Sequence, residues 1–206
     1  MRGRPADGSN RRASASLTGF MSEHPFAKAG AMARDSLDHG TFPTSAGILL
    51  GLGLGGFFDG IVLHQVLQWH HMLTSAGYPP DSVENLEINV FWDGLFHMST
   101  YVFTALGLFV LWRHSRRAHL RWPAKILIAT ILMGFGLFNL VEGLIDHQIL
   151  GIHHVNETVL REQWIYWDIG FLVWGAVMLA GGWALLRRER HREAARAHGL
   201  SQGLRA

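Results

Sequence analysis

AGILLGLGLGGFFDGIVLHQVLQWHH, Ala46 to His71, is apolar for most of its length and ends on three histidines within eight residues. At about 1.5 Å per residue in a helix, such a stretch exceeds the roughly 30 Å of a hydrocarbon core. Reading outward from Ser45–His71, three further runs have the same character: Phe91 to Trp112, Pro123 to Leu150 and Tyr166 to Leu186. A soluble four-helix bundle needs a polar outer face on each helix, and VFTALGLFVLW (102–112) and FLVWGAVMLAGGWALL (171–186) offer none. The chain is 49% apolar and 17% charged, with the charges bunched between the apolar runs. The expected fold class is therefore all-α, an integral membrane four-helix bundle.

The opening stretch has an echo. Shifted by 83 positions, Ala46–His71 aligns without a gap on Ala129–His154, with 12 of 26 residues identical. Matches of Leu and Gly between two apolar helices carry little information, but His64/His147, Gln65/Gln148, His70/His153 and His71/His154 fall in register, and Asp59 faces Glu142. The second and fourth runs align at an offset of 75, keeping Trp92/Trp167, Asp93/Asp168, Gly107/Gly182 and Arg113/Arg188. This predicts two repeated transmembrane hairpins, repeat one at 45–113 and repeat two at 128–188, within a membrane domain at 44–188. A polar arm at 1–43, expected to be disordered, precedes it, with Met21 as an alternative start. A basic tail at 189–206 follows.

Lys and Arg orient the bundle. Six lie in the arm, five in Arg113–Lys125 and six after the fourth run, whereas the first hairpin loop has none and the second only Arg161. The positive-inside rule then puts both termini and the middle loop in the cytoplasm of a bacterial inner-membrane protein, with the histidine ends at the periplasmic side. The pI near 9.4 follows from this topology and from contact with the lipid bilayer, and does not point to nucleic acid. With no cysteine, thiolate metal sites and cysteine nucleophiles are excluded.

Twelve ionisable residues cluster in the outer half: Asp59, His64, His70, His71, Asp93, His97, Glu142, Asp146, His147, His153, His154 and Asp168. Such groups are costly in a membrane and usually face inward, paired or serving an ion, a proton or a cofactor. Three explanations compete. Imidazole with carboxylate suits Cu, Zn or Fe, held between facing helices. Paired histidines also suit bis-His haem, although a haem slot would not require an acid at every repeat. The third is structural, with caps and buried hydrogen bonds.

The carboxylates favour the metal. Straight α-helical geometry puts His64 about 10 Å deeper than His71 on nearly the same face, and Asp59 about 140° around from His64. On that geometry the expected metal ligands are His64, Asp93, His97 and His147, with His71 and His154 as an entry or second site. Asp59, His70, Glu142, Asp146, His153 and Asp168 are expected to support the ligands or handle protons. His97 and Asp146 break the symmetry, since Leu172 and Leu63 stand at the matching places.

GFFDGIVLHQVLQWHH (56–71), NVFWDGLFHMSTYVF (89–103) and NLVEGLIDHQILGIHH (139–154) together resemble an uncharacterised family of bacterial predicted membrane proteins, a domain of unknown function. The resemblance covers about Ser45 to Leu186. It implies a four-span inner-membrane protein with gene neighbours concerned with respiratory oxidase assembly, and it supplies no activity. The functional expectation is a protein that binds a transition metal, in metal handling or oxidase assembly. The alternatives are a membrane-embedded metalloenzyme, a non-haem oxidoreductase or hydrolase, and a haem-binding cytochrome.

Overall fold

The structure is a computed structural model and describes residues 42–116 and 123–203. The polar arm up to residue 41, part of the basic middle loop and the last three residues lie outside the described residues. Four long helices make up nearly all of it. Helix α1 (Thr44–Phe57) continues without a break as a π-helix over Phe58–Val66. Helix α2 spans Val83–Ser115, and α3 (Ala124–Glu142) again continues as a π-helix, Gly143–Ile149. Helix α4 spans Arg161–Gly203. All four are long and apolar enough to cross a membrane.

The distribution of side chains is that of a membrane bundle turned outward. The fully buried large side chains are polar: His64, His70, His147, His153, Asn89, Asn139, Thr100, Thr130, Asp59, Asp93 and Asp168. Phe91, Tyr101, Val102, Leu108, Tyr166, Val173 and Val177 are exposed. In water this arrangement forfeits the hydrophobic effect on both counts, whereas in lipid the apolar exterior costs nothing and the polar groups find partners only inside.

Helices α1 and α3 form the central pair, with α2 packed on α1 and α4 on α3. Without a hydrophobic force between helices in lipid, close approach depends on small residues. A methyl group placed on Gly51 would meet the Cα of Gly134, and one on Gly134 the Cα of Gly51, so the central helices cross backbone to backbone. Gly53 lies against Thr100 and Thr104 of α2, while Gly136 lies against Gly175 and Leu179 of α4. Gly107 approaches Ala46 and Leu50, while Gly182 approaches Ala129 and Met133. Every one of these contacts recurs 83 places on in α1/α3 and 75 places on in α2/α4.

Both π segments end the same way. Leu67 N–H donates to Val62 and Leu150 N–H to Ile145, each at 2.8 Å, and then Trp69 donates to Leu63 and Ile152 to Asp146. Gln68 and Gly151, equivalent positions, follow with left-handed backbones at φ 51° and 58°. The chain reverses there. The helices therefore stop short of the HH pairs, and His70, His71, His153 and His154 sit on loops that fold back over the bundle end. Ser82 caps α2 by accepting from Asn85 N–H at 3.2 Å, and Asn89 secures the first loop by accepting from Leu73 N–H and donating to the Tyr78 carbonyl.

Candidate functional site

Because the loops fold back, the histidines share one level instead of being stepped along a straight helix. The His64 and His70 ring centroids are 4.3 Å apart, those of His147 and His153 4.9 Å, and His70 stacks on His153 at 4.6 Å with the planes 4° from parallel. The expected depth difference of about 10 Å assumed an α-helix through His71. The π segment and the reversal at Gln68 remove it.

The π-helix also settles where the acids go. Residues five apart are about 140° apart on an α-helix, but i→i+5 closure brings them onto one face. Asp59 Oδ2 thus lies 3.1 Å from His64 Nε2, and Glu142 Oε1 lies 2.8 Å from His147 Nε2. Neither approach is aligned as a hydrogen bond. His153 Nε2 reaches Glu142 Oε1 at 3.0 Å, and His70 Nε2 stands 4.0 Å from Asp59 Oδ1.

The opposite ring nitrogens face other acceptors. His64 Nδ1–H donates to Asp93 Oδ1 at 2.9 Å, His70 Nδ1–H to the Val155 carbonyl at 2.9 Å, and His153 Nδ1–H to the Met72 carbonyl at 3.1 Å. His147 Nδ1 is 3.7 Å from Asp168 Oδ1. The loops are thereby crossed: His70 holds the second loop and His153 the first. Glu157 N–H to the Trp69 carbonyl and Ser75 N–H to the Ile152 carbonyl, both 2.9 Å, bind the same two loops together.

Asp93 and Asp168 stand behind this ring. Asp93 accepts from His64, from His71 Nδ1 at 2.7 Å and from Met72 N–H at 2.9 Å. Asp168 accepts from His154 Nδ1 at 2.7 Å, from Val155 N–H at 3.0 Å and from Gln148 at 3.1 Å. His71 N–H donates to Thr74 Oγ1, and His154 N–H to Glu157 Oε1, closing matching turns.

Of the twelve residues, ten meet in this assembly. Of the expected metal ligands, His64 and His147 line the ring, while Asp93, His71 and His154 form the layer behind it. His97 is apart. Its Nε2 abuts Gly60, as Leu172 abuts Gly143 in the other half, and makes no hydrogen bond among the described residues. Asp146 is half-buried beside the ring and accepts no side-chain hydrogen bond among the described residues. Asn139, one turn before Glu142, is a further buried polar side chain whose amide has no hydrogen-bond partner among the described residues, and nothing in its spacing singled it out. Glu157 was likewise not singled out, being a loop carboxylate with no echo in kind, since Thr74 occupies its equivalent place.

Outside the spans, burial holds the His70 pKa well below the ordinary histidine value, and neighbouring His153 and His64 push the same way. A neutral His70 has one ring proton, which Nδ1 donates to the Val155 carbonyl, so its Nε2 presents a lone pair. Each of the four ring imidazoles is placed in this way between two acceptors. One ring proton serves only one of them, and a second proton or a cation between Nε2 and the carboxylate would serve the other.

Two groups have ligand atoms that all lie within 4.8 Å of one another: His64, His70 and His153, and Glu142, His147 and His153. Around a tetrahedral ion with bonds of about 2.0–2.1 Å, neighbouring donors are about 3.3 Å apart. The approaches of 2.8–3.1 Å between Nε2 and carboxylate oxygen are already near that edge length.

One apolar cavity of about 320 Å³ adjoins the ring between α1 and α4. Its wall includes Leu63, Val155 and Phe171, with Trp69, Trp167 and Trp174 around them. Phe171 also packs on His147, centroids 5.6 Å apart.

The chain belongs to a family described as "Predicted membrane protein (DUF2243)", whose model matches residues 46–189. No curated protein and no solved structure matches it.

Proposed function

We propose that this membrane protein binds a transition metal, Cu, Zn or Fe, through Nε2 of His64, His70, His147 and His153 with the carboxylates of Asp59 and Glu142. One observation carries the reading: His64, His70 and His153 are oriented through Nδ1, by Asp93 and by the Val155 and Met72 carbonyls, and the Nε2 atoms of all four ring histidines converge on two acids, those of His64, His70 and His147 without a hydrogen-bond partner among the described residues. Histidines that ligate metals are oriented in this way, by donating the other ring N–H to a carboxylate or carbonyl. Asp93, Asp168, His71 and His154 are then the supporting layer, the reverse of the roles expected for Asp93, His71 and His154, while Asp168 keeps the role expected of it. His97 takes a packing role, and Asp146 lies at the edge of the ring.

The contacts that recur at offsets of 83 and 75 support a duplicated hairpin with a pseudo-twofold axis along the membrane normal. The Lys/Arg asymmetry supports cytoplasmic termini and a ring at the periplasmic face of a bacterial inner membrane. Metal handling, including supply to a respiratory oxidase or its assembly factors, is the role such a site would serve. Haem fits poorly. Four imidazoles packed at 4.3–4.9 Å leave no slot for a macrocycle between facing Nε2 atoms.

The test is metal content and the absorption spectrum of the full chain purified in detergent, beside Asp59→Ala/Glu142→Ala. Stoichiometric metal in the native protein and its loss in the variant, with unchanged helicity, supports the reading. Metal that the variant retains sinks it, and a Soret band redirects it to haem.

The cavity against Phe171 favours a second reading, a metalloenzyme acting on an apolar molecule from the bilayer. That reading stands if a membrane-soluble compound quenches Trp174 and shifts the metal spectrum together, and falls if quenching leaves the metal unaffected.

A further inference from the structure

Given the metal reading, on which this rests, we infer that the ring holds two divalent ions, one per half: one bound by Asp59, His64 and His70, the other by Glu142, His147 and His153. Each set combines a carboxylate, the histidine five residues on along a π-helix, and the loop histidine six residues further on. The two sets repeat at an offset of 83. They also repeat in space: the pairs within each half, His64–His70 and His147–His153, stand at 4.3 and 4.9 Å, the cross pairs His64–His153 and His70–His147 stand at 5.7 and 6.2 Å, and the stacked cross pair His70–His153, at 4.6 Å, is where the two sets meet.

A single central ion fits less well. An ion that draws on His70 and His153 across the halves leaves the close approaches of His64 to Asp59 and of His147 to Glu142, 3.1 and 2.8 Å, without anything between them. Asp59 Oδ1 and Oδ2, Glu142 Oε2, and Nε2 of His64, His70 and His147 are all buried without a hydrogen-bond partner. These orphaned atoms occur in both halves, and one ion placed in either half satisfies only that half.

Charge agrees with the count. Asp59, Asp93, Glu142 and Asp168 are four nearly inaccessible carboxylates within one cluster, and Lys and Arg are absent from it. Buried charge without a partner is expensive, and two divalent ions balance four carboxylates where one leaves half of the charge unmatched. His70 of one set stacks on His153 of the other, so the ions lie close together, as in two-metal sites where the separation is about 3.5–4 Å.

The experiment loads the full-length detergent-purified chain with Cu²⁺, measures copper per chain, and records the electron paramagnetic resonance spectrum. The expected result is two copper ions per chain with a half-field transition from a coupled pair. Asp59→Ala/His64→Ala and Glu142→Ala/His147→Ala should each retain one copper with an uncoupled spectrum. Circular dichroism and size-exclusion profiles of both variants control for misfolding, and Zn²⁺ stoichiometry of the native chain gives a count that needs no variant. One ion per chain in the native protein for both metals, abolished by either variant, overturns the pair and leaves metal binding standing. No bound ion in the native chain overturns both.

Discussion

His70 and His153 lie face to face, ring centroids 4.6 Å apart, and each donates its Nδ1 proton to a carbonyl of the opposite half, Val155 and Met72. The exchange makes each loop part of the other half's structure. His70→Ala should therefore loosen the second loop, around Val155–Glu157, more than its own. One buried hydrogen bond is worth about 1 kcal/mol, or roughly fivefold in a local opening equilibrium. Amide hydrogen exchange in the metal-free protein checks this, with His153→Ala as the mirror case at Met72–Thr74. Acceleration confined to the mutated loop would contradict the crossing.

Asp93 and Asp168 hold the ring at unequal distances. Asp93 bonds His64 at 2.9 Å, but Asp168 stands 3.7 Å from His147 and bonds His154 instead. Residues behind a metal ligand typically contribute about 10–100-fold to affinity. Asp93→Asn should lie toward the upper end of that range and Asp168→Asn toward the lower. Competition with a chromophoric chelator measures both. Equal effects would show that metal draws His147 up to Asp168.

Gly51 and Gly134 meet Cα to backbone where α1 crosses α3, with no flexible side chain to give way. Gly51→Leu or Gly134→Leu should destabilise the bundle by at least the 1–3 kcal/mol, about, that overpacking commonly costs. Gly94→Ala and Gly181→Ala, which have open space around them, should leave stability within about 0.5 kcal/mol of the native chain. Denaturation in mixed detergent micelles gives the comparison.

The span count, the apolar exterior and the paired positions were legible in the sequence because length, charge placement and a gapless echo depend only on residue identity. The inner ring was not. Treating Asp59 and His64 as α-helical neighbours put them on different faces, and only a π segment brings them together. In retrospect the Asp-x4-His and Glu-x4-His spacing, twice in register, carries that signal. The role of His70 and His153 depended on a chain reversal at Gln68 and Gly151. Gly151 offers a left-handed turn readily, but Gln68 does not announce one. His97 looked like a ligand because it shares a helix face with Asp93, yet in space it takes the place of Leu172.

Glu157 supplies a test of the loops that is independent of metal. Its Oε1 accepts from Ser75 Oγ–H at 2.6 Å and from His154 N–H at 3.0 Å, while Oε2 is buried without a partner. Burial raises its pKa above the ordinary 4.5 despite those two bonds. An acid with a raised folded-state pKa binds more protons folded than unfolded, so its contribution is full below 4.5 and is lost as pH rises through the folded-state value. The loops should thus be tighter at mildly acidic pH than at neutral pH. Glu157→Gln keeps an acceptor for Ser75 and His154 while removing the charge, and should flatten that dependence and match the tighter state at neutral pH. Exchange rates of the His154 and Ser75 amides across that range in the metal-free protein check it, and a variant as pH-dependent as the native chain would assign the effect to another group.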